Sequence, residues 1–413
     1  MEIPTHSDIP ARPRLRPVDA FPTELQGKQA IALRDPSNMS DAVLAFTVDA
    51  ISILQALDGA HTILDIQAAE TKRRGRLVLR AEIEELVRTL DEQLFLFGPR
   101  FDAARAAMTD AFRQNPIRPA YHAGSAYPED PESLREWMDG FFLHSEGPGA
   151  IEENHPRQEI AGILAPHIDF RRGGSVYAWA YRALAEAEPA DLYIVLGVPH
   201  QGIDGPAAAT LKAYDTPFGP LEVDHDFVEA LGRRSRQDLL AEELGHRTEH
   251  SIEFETVFLR YLFGGRREIR MVPILLSFVH ESMHVGRNPW EDLEARRFVE
   301  ALGETISAYP GKVCIVGGVD LAHVGPQFGD PSPVTGEMLG WLESEDRAML
   351  SAIESGEADA FYASIAKDMD RRRVCGLTPI YTFMQVLQKE GKLLKYGQAP
   401  DPNGTVTFAS VAF

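Results

Sequence analysis

Three short apolar runs in this chain of 413 residues each end close to a histidine. Ile160–Leu164 leads into Ala165-Pro166-His167, and Leu192–Leu196 into Gly197-Val198-Pro199-His200. Val313–Val316 leads into Gly317-Gly318-Val319-Asp320-Leu321-Ala322-His323. Apolar runs of this length, closed by Gly or Pro, read as buried strands. In a parallel sheet the carboxyl ends share one edge, the edge where open α/β folds bind ligands. Three neutral imidazoles meeting there suit a borderline divalent metal such as Fe(II), Zn(II) or Cu(II). His167, His200 and His323 are the expected ligands, and Asp320 brings a carboxylate to the third tip. Gly317 and Gly318 are expected to turn the chain sharply there.

Other candidates are more local. Glu249-His250-Ser251-Ile252-Glu253 opens a helix, with Ser251 or Glu253 as the expected cap, and lacks the second His of a His-Glu-x-x-His zinc motif. Cys375-Gly376 precedes a helix over Thr378–Gln388, whose N-terminus would lower the thiol pKa. Buried and inert is the competing reading of a lone Cys, and Cys314 reads as strand core. No dinucleotide fingerprint, P-loop or nucleophile elbow is present.

The elements that must position these groups alternate from about residue 118 onward. Strands are expected at 159–164, 191–196, 270–277, 313–316 and 405–413. Helices are expected at 173–185, 226–234, 251–263, 296–308, 344–355 (capped by Ser344) and 378–388. This is the pattern of a three-layer α/β domain with a mostly parallel sheet. Before it, residues 1–20 read as a loose Pro- and Arg-rich leader. Residues 21–98 read as a small α+β module: a strand at 29–33, helices at 49–57, 62–71 (capped by Thr62) and 82–90, and a strand at 94–97. Three helices with flanking strands suggest a winged helix. Residues 99–117 form a connecting helix and linker, closed by Asn115-Pro116-Ile117-Arg118-Pro119.

Charge narrows the partners. Residues 1–118 carry 15 Lys+Arg against 17 Asp+Glu and the remainder 26 against 45, so the larger part would repel a phosphate backbone. The run Lys72-Arg73-Arg74-Gly75-Arg76 reads as a solvated loop or helix end. No apolar run is long enough to cross a bilayer, which argues against a membrane partner. Two cysteines and an N-terminus without a basic, apolar signal place the chain in a reducing cytoplasm.

Six blocks between residues 118 and 413 resemble the Memo family (AmmeMemoRadiSam system protein B). They are His122-Ala123-Gly124-Ser125, Ala165-Pro166-His167, Leu196-Gly197-x-Pro199-His200, Glu249-His250-Ser251-Ile252-Glu253, Asp320-x-x-His323 and Cys375-Gly376-x-x-Pro379. The resemblance implies a fold like the LigB-type class III extradiol dioxygenases. It also implies metal binding by His167, His200 and His323, with Asp320 and Cys375 close by and His250 in the remaining block. The chain departs from the family pattern at Ile168-Asp169-Phe170, Val198 and Gly318-Val319. Within residues 21–98, Leu54-Gln55-Ala56-Leu57-Asp58-Gly59, His61-Thr62-Ile63-Leu64-Asp65-Ile66 and Leu94-Phe95-Leu96 resemble the PqqD-like family of leader-peptide binders.

Two functions of different class follow. One is a non-haem iron redox enzyme with a dioxygenase-like site for a small molecule or peptide, in which Asp320 and His250 serve as acid and base and Cys375 as a soft neighbour of the metal. The other is an accessory protein with a vestigial site, recruiting a leader peptide or a radical-SAM enzyme through residues 21–98. Zinc-dependent hydrolysis is a third reading.

Overall fold

The structure, a computed structural model, describes residues 9–152 and 157–413, so the first eight residues of the expected leader lie outside the described residues. The chain forms two compact units, Met1–Gln114 and Asn115–Phe413. The division falls three residues before the expected domain start at 118.

In the first unit, strands Asp19–Leu25, Lys28–Arg34 and Val43–Thr47 make an antiparallel sheet. Thr62 caps the helix Ile63–Arg74 in a reciprocal capping box with Asp65, and Gly75 ends it in the left-handed region. The basic run is therefore a helix end, where Arg73 and Arg74 both pair with Glu70. The helix Arg80–Glu92 buries Ile83, Val87 and Leu90 at the spacing of one face. These side chains join Leu33, Ile53, Leu54, Leu57 and Ile66 in a core of the unit's own. Part of the stretch read as leader is strand: Arg14–Leu15 pairs with Leu96–Phe97, and Arg16 is buried against Asp35.

The second unit is built on an eight-stranded sheet. Its strands are β1 (Gly162–Ala165), β2 (Leu192–Gly197), β3 (Ala207–Ala209), β4 (Arg270–Leu276), β5 (Val313–Gly318), β6 (His323–Val324), β7 (Lys392–Ala399) and β8 (Thr405–Ala412). The order is β6-β8-β1-β5-β2-β4-β3, with β7 on the other side of β8's path. The central four, β1-β5-β2-β4, are parallel and almost wholly buried, as their unbroken Val/Ile/Leu runs require. The margins are antiparallel, so the sheet is mixed. Helices α1 (Phe170–Glu186) and α2 (His250–Phe263) form one layer; α3 (Leu377–Leu387) and the helix Leu293–Ala308 belong to the other.

Two of the elements that differ from expectation have a clear cause in packing. The helix expected from Ser344 begins at Gly336, capped by Thr335, because Met338, Leu339 and Leu342 already pack on Ala322 and Val324. Strand β7 escapes the pattern because none of its residues is fully buried, so no alternation marks it. Among the described residues no helix is long and apolar enough to cross a membrane.

Candidate metal centre

The carboxyl ends of β1, β2 and β5 meet the N-terminus of α2, and glycine makes that approach feasible. A Cβ on Gly318 would lie 2.2 Å from the Ser251 carbonyl oxygen, and one on Gly197 would lie 2.6 Å from Ser251 Oγ. The glycines expected to turn the chain instead keep β5 extended through Gly318 while admitting a helix end. Ser251 Oγ accepts a hydrogen bond from Val198 N at 2.9 Å, tying the loop after β2 to the same helix end.

Three imidazoles converge there: His167, His200 and His250, whose ligand atoms lie within 4.8 Å of one another. Their ring centroids are 5.0 Å (His167–His200), 5.3 Å (His167–His250) and 4.4 Å (His200–His250) apart. Each ring has its Nδ1 facing an acceptor. His167 Nδ1 is 2.9 Å from Gly318 O, His200 Nδ1 is 2.9 Å from Glu249 Oε1, and His250 Nδ1 is 3.3 Å from the same oxygen. A proton held on Nδ1 leaves Nε2 with a free lone pair, the form a metal takes up. Burial, with the neighbouring His200 charge, lowers His167 to about 3. The same two causes hold His250 well below its usual value. Burial also works against the charge on His200, but Glu249 outweighs it and raises that imidazole. Two neutral imidazoles and a carboxylate-backed third make a donor set that fits a divalent ion.

The remaining expected residues take different places. Asp320 is buried; its Oδ1 accepts from His167 N at 3.0 Å, and its Oδ2 is 3.7 Å from His167 Nε2. Burial raises its carboxyl to about 6. Cys375 Sγ lies 3.2 Å from His167 Nε2. Burial pushes this thiol well above its usual range, with Asp320 adding to the rise, and so outweighs the expected pull of a helix N-terminus. His323, expected as the third ligand, stands outside the three-histidine group. Its Nδ1 is 3.2 Å from both Leu321 O and Arg373 O, and its ring packs edge-on against Phe328. His323 still acts on Asp320, where its charge is the largest influence opposing burial. His250, expected as an acid or base, takes the position in the cluster instead. Cys314 is fully buried in β5.

Several residues that shape the site take roles other than those expected. Glu249, not Ser251 or Glu253, caps α2 by accepting from Ser251 N. Glu253 is instead buried against Arg118 and also accepts from Tyr127 Oη and from the backbone N–H groups of Tyr121 and His122. Arg118 and Glu253 are 135 positions apart, so no local spacing marks the pair. The departure at Ile168-Asp169-Phe170 has a structural use: Asp169 caps α1, and Phe170 packs among Tyr127, Tyr177, Phe254 and Phe258.

Residues 118–412 match the family described as Memo-like protein. A MEMO1 family protein of Aquifex aeolicus is 29% identical over 388 residues, covering 92% of this chain and 95% of its own. One of Thermus thermophilus is 29% identical over 337 residues, covering 81% and 93%. One of Methanopyrus kandleri is 30% identical over 308 residues, covering 70% and 96%. The Aquifex alignment is longer than the second unit, so it takes in part of the first as well.

Proposed function

Because the chain belongs to the Memo-like protein family, we propose that the converging strand ends form a divalent-metal site, and that the protein is a non-haem iron-dependent redox enzyme acting on a small molecule or peptide. The observation that carries this reading is the shared orientation of His167, His200 and His250, each with Nδ1 on an acceptor. His167 and His200 are the ligands common to the sequence reading and the geometry, and His250 is the third. Cys375, once deprotonated, is within reach as a softer donor beside His167. A bound redox-active ion supplies one-electron chemistry and open positions for reactants. Asp320 holds His167 by its backbone N–H and, with its carboxyl raised to about 6, can hold or release a proton next to that ring. His323 acts through Asp320.

The test is metal analysis of the purified chain followed by anaerobic Fe(II) titration. Stoichiometric uptake in the wild type and at least a hundredfold weaker binding in His200→Ala is the expected result. An intact protein that takes up no Fe, Cu or Zn overturns the proposal.

A second reading is recruitment of a peptide or a radical-SAM partner by the first unit, and it rests on the resemblance of residues 54–66 and 94–96 to leader-peptide binders. A pulldown with the isogenic partners decides it: loss of capture when residues 21–98 are substituted supports it, and unchanged capture rejects it.

A further inference from the structure

A single buried carboxylate stands behind two of the three imidazoles. Glu249 Oε1 is 2.9 Å from His200 Nδ1 and 3.3 Å from His250 Nδ1, and also accepts from Ser251 N at 2.9 Å. Its Oε2 accepts from His200 N at 2.9 Å. The residue is only 3% exposed, so water does not compete for these donors. Its backbone is fixed as well: Arg118 Nη2 donates to Glu249 O at 2.9 Å and Arg118 Nε to His246 O at 3.0 Å.

We infer that Glu249 is a positioning residue that sets the tautomer of both His200 and His250, so that both Nε2 atoms face the shared space as lone-pair donors. The inference rests on the metal reading above for its effect on affinity, but not for the tautomers themselves. The carboxylate accepts from His200 Nδ1, His200 N and Ser251 N and stands 3.3 Å from His250 Nδ1, whereas a glutamine has one accepting oxygen and two N–H groups. If the glutamine oxygen takes the Oε1 position, its amide opposes His200 N and the loop after β2 loses an anchor. If the amide takes that position, it opposes Ser251 N, and His200 Nδ1 must become the acceptor. The His200 proton then moves to Nε2, the atom that would meet the ion. The first arrangement keeps both tautomers and the second does not, so the variant that decides is one with no acceptor at this position, Glu249→Ala. Outer partners of ligating histidines are worth roughly 10–100-fold in metal affinity.

The experiment uses the full chain, metal-free and labelled with ¹⁵N in histidine. Spectra are taken above the His200 transition, located by titrating the same sample. In the wild type, both His200 and His250 are expected to show a protonated Nδ1 and an unprotonated Nε2. In Glu249→Ala, which leaves His200 Nδ1 without its acceptor, at least one is expected to lose that pattern, and Co(II) affinity is expected to fall roughly 10–100-fold. A purely structural cap would leave the tautomers unchanged. Unchanged tautomers in the variant, or Co(II) affinity within twofold of the wild type, overturn the inference. If the wild type binds no Co(II) or Fe(II), the metal reading fails while the tautomers still decide the role of Glu249. If Glu249→Ala does not fold, the wild-type spectra decide alone: a protonated Nε2 on either His200 or His250 overturns it.

Discussion

The two units use buried charge in opposite ways. In the first, the buried carboxylates Asp35 and Glu70 face arginines and are held below their usual values. Glu70 is drawn down to about 2, chiefly by its hydrogen bonds with Arg73. In the second, buried carboxyls near the strand tips are pushed apart. Glu249 lies well below its usual range, Asp320 is raised to about 6, and Glu255 is raised well above its usual range by burial. Glu255 accepts from Tyr181 Oη on one oxygen, and its other oxygen has no partner among the described residues. Carboxyls driven to different protonation states around one set of strand tips are the electrostatic pattern of a candidate functional site. Carboxylates uniformly ionised against arginine mark a scaffold.

The largest effect should come from Arg118. It is fully buried and donates to Glu253, Pro119 O, His246 O and Glu249 O. Arg118→Met keeps the bulk but leaves the Glu253 charge without its cation and orphans three carbonyls. Removing one partner of a buried pair costs about 3–5 kcal/mol. Chemical denaturation should show a loss of that order, with hydrogen exchange rising first at the start of α2. A loss under about 1 kcal/mol would mean that the network is not what holds the helix end.

Much of this arrangement was readable in advance, and the remainder was not for a physical reason. The strands β1, β2 and β5 are buried on both faces, so continuous apolar runs announce them, and the Pro or Gly after each marks where His167 and His200 emerge. His323 was expected to join them by the same logic. However, β5 runs on through Gly318, and the chain then returns as β6 beside β8, which seats His323 against Phe328. His250 enters from a helix start, a position that reasoning about strand ends does not reach. Arg118 and Glu253 meet only through the tertiary fold. The three-layer α/β architecture follows from periodicity, whereas the antiparallel margins do not, because β7 shows no alternation.

A milder effect is expected in the first unit, and it sharpens the contrast. Arg16 is also buried, though 6% exposed against 0% for Arg118, and pairs with Asp35. Asp35 nevertheless keeps hydrogen bonds from Ser37 N, Ser37 Oγ, Met39 N and Ser40 N when the arginine is removed. Its charge is then still satisfied, so Arg16→Met should cost about 1.5–3 kcal/mol, the range of a hydrogen bond to a charged group. Denaturation under the conditions used for Arg118→Met makes the comparison. An equal loss in the two variants would remove the distinction between a charge with local alternatives and one without.

The smallest effect is a pH dependence confined to the first unit. The folded pKa of Glu70, about 2, lies below the ordinary value of 4.5, so the ionised form favours the folded state. Its contribution is complete above about pH 4.5 and is lost as the pH falls toward 2. Arg73 is half-exposed, so solvent screening limits the contribution to about 1 kcal/mol. Hydrogen exchange over the helix Ile63–Arg74 should therefore speed up through that window in the wild type. Glu70→Gln, with no carboxyl to titrate, should lose that part of the pH dependence while retaining an amide oxygen for Arg73. If the variant and the wild type respond identically to acid, Glu70 contributes nothing measurable, and Asp35 is left as the first unit's scaffold carboxylate.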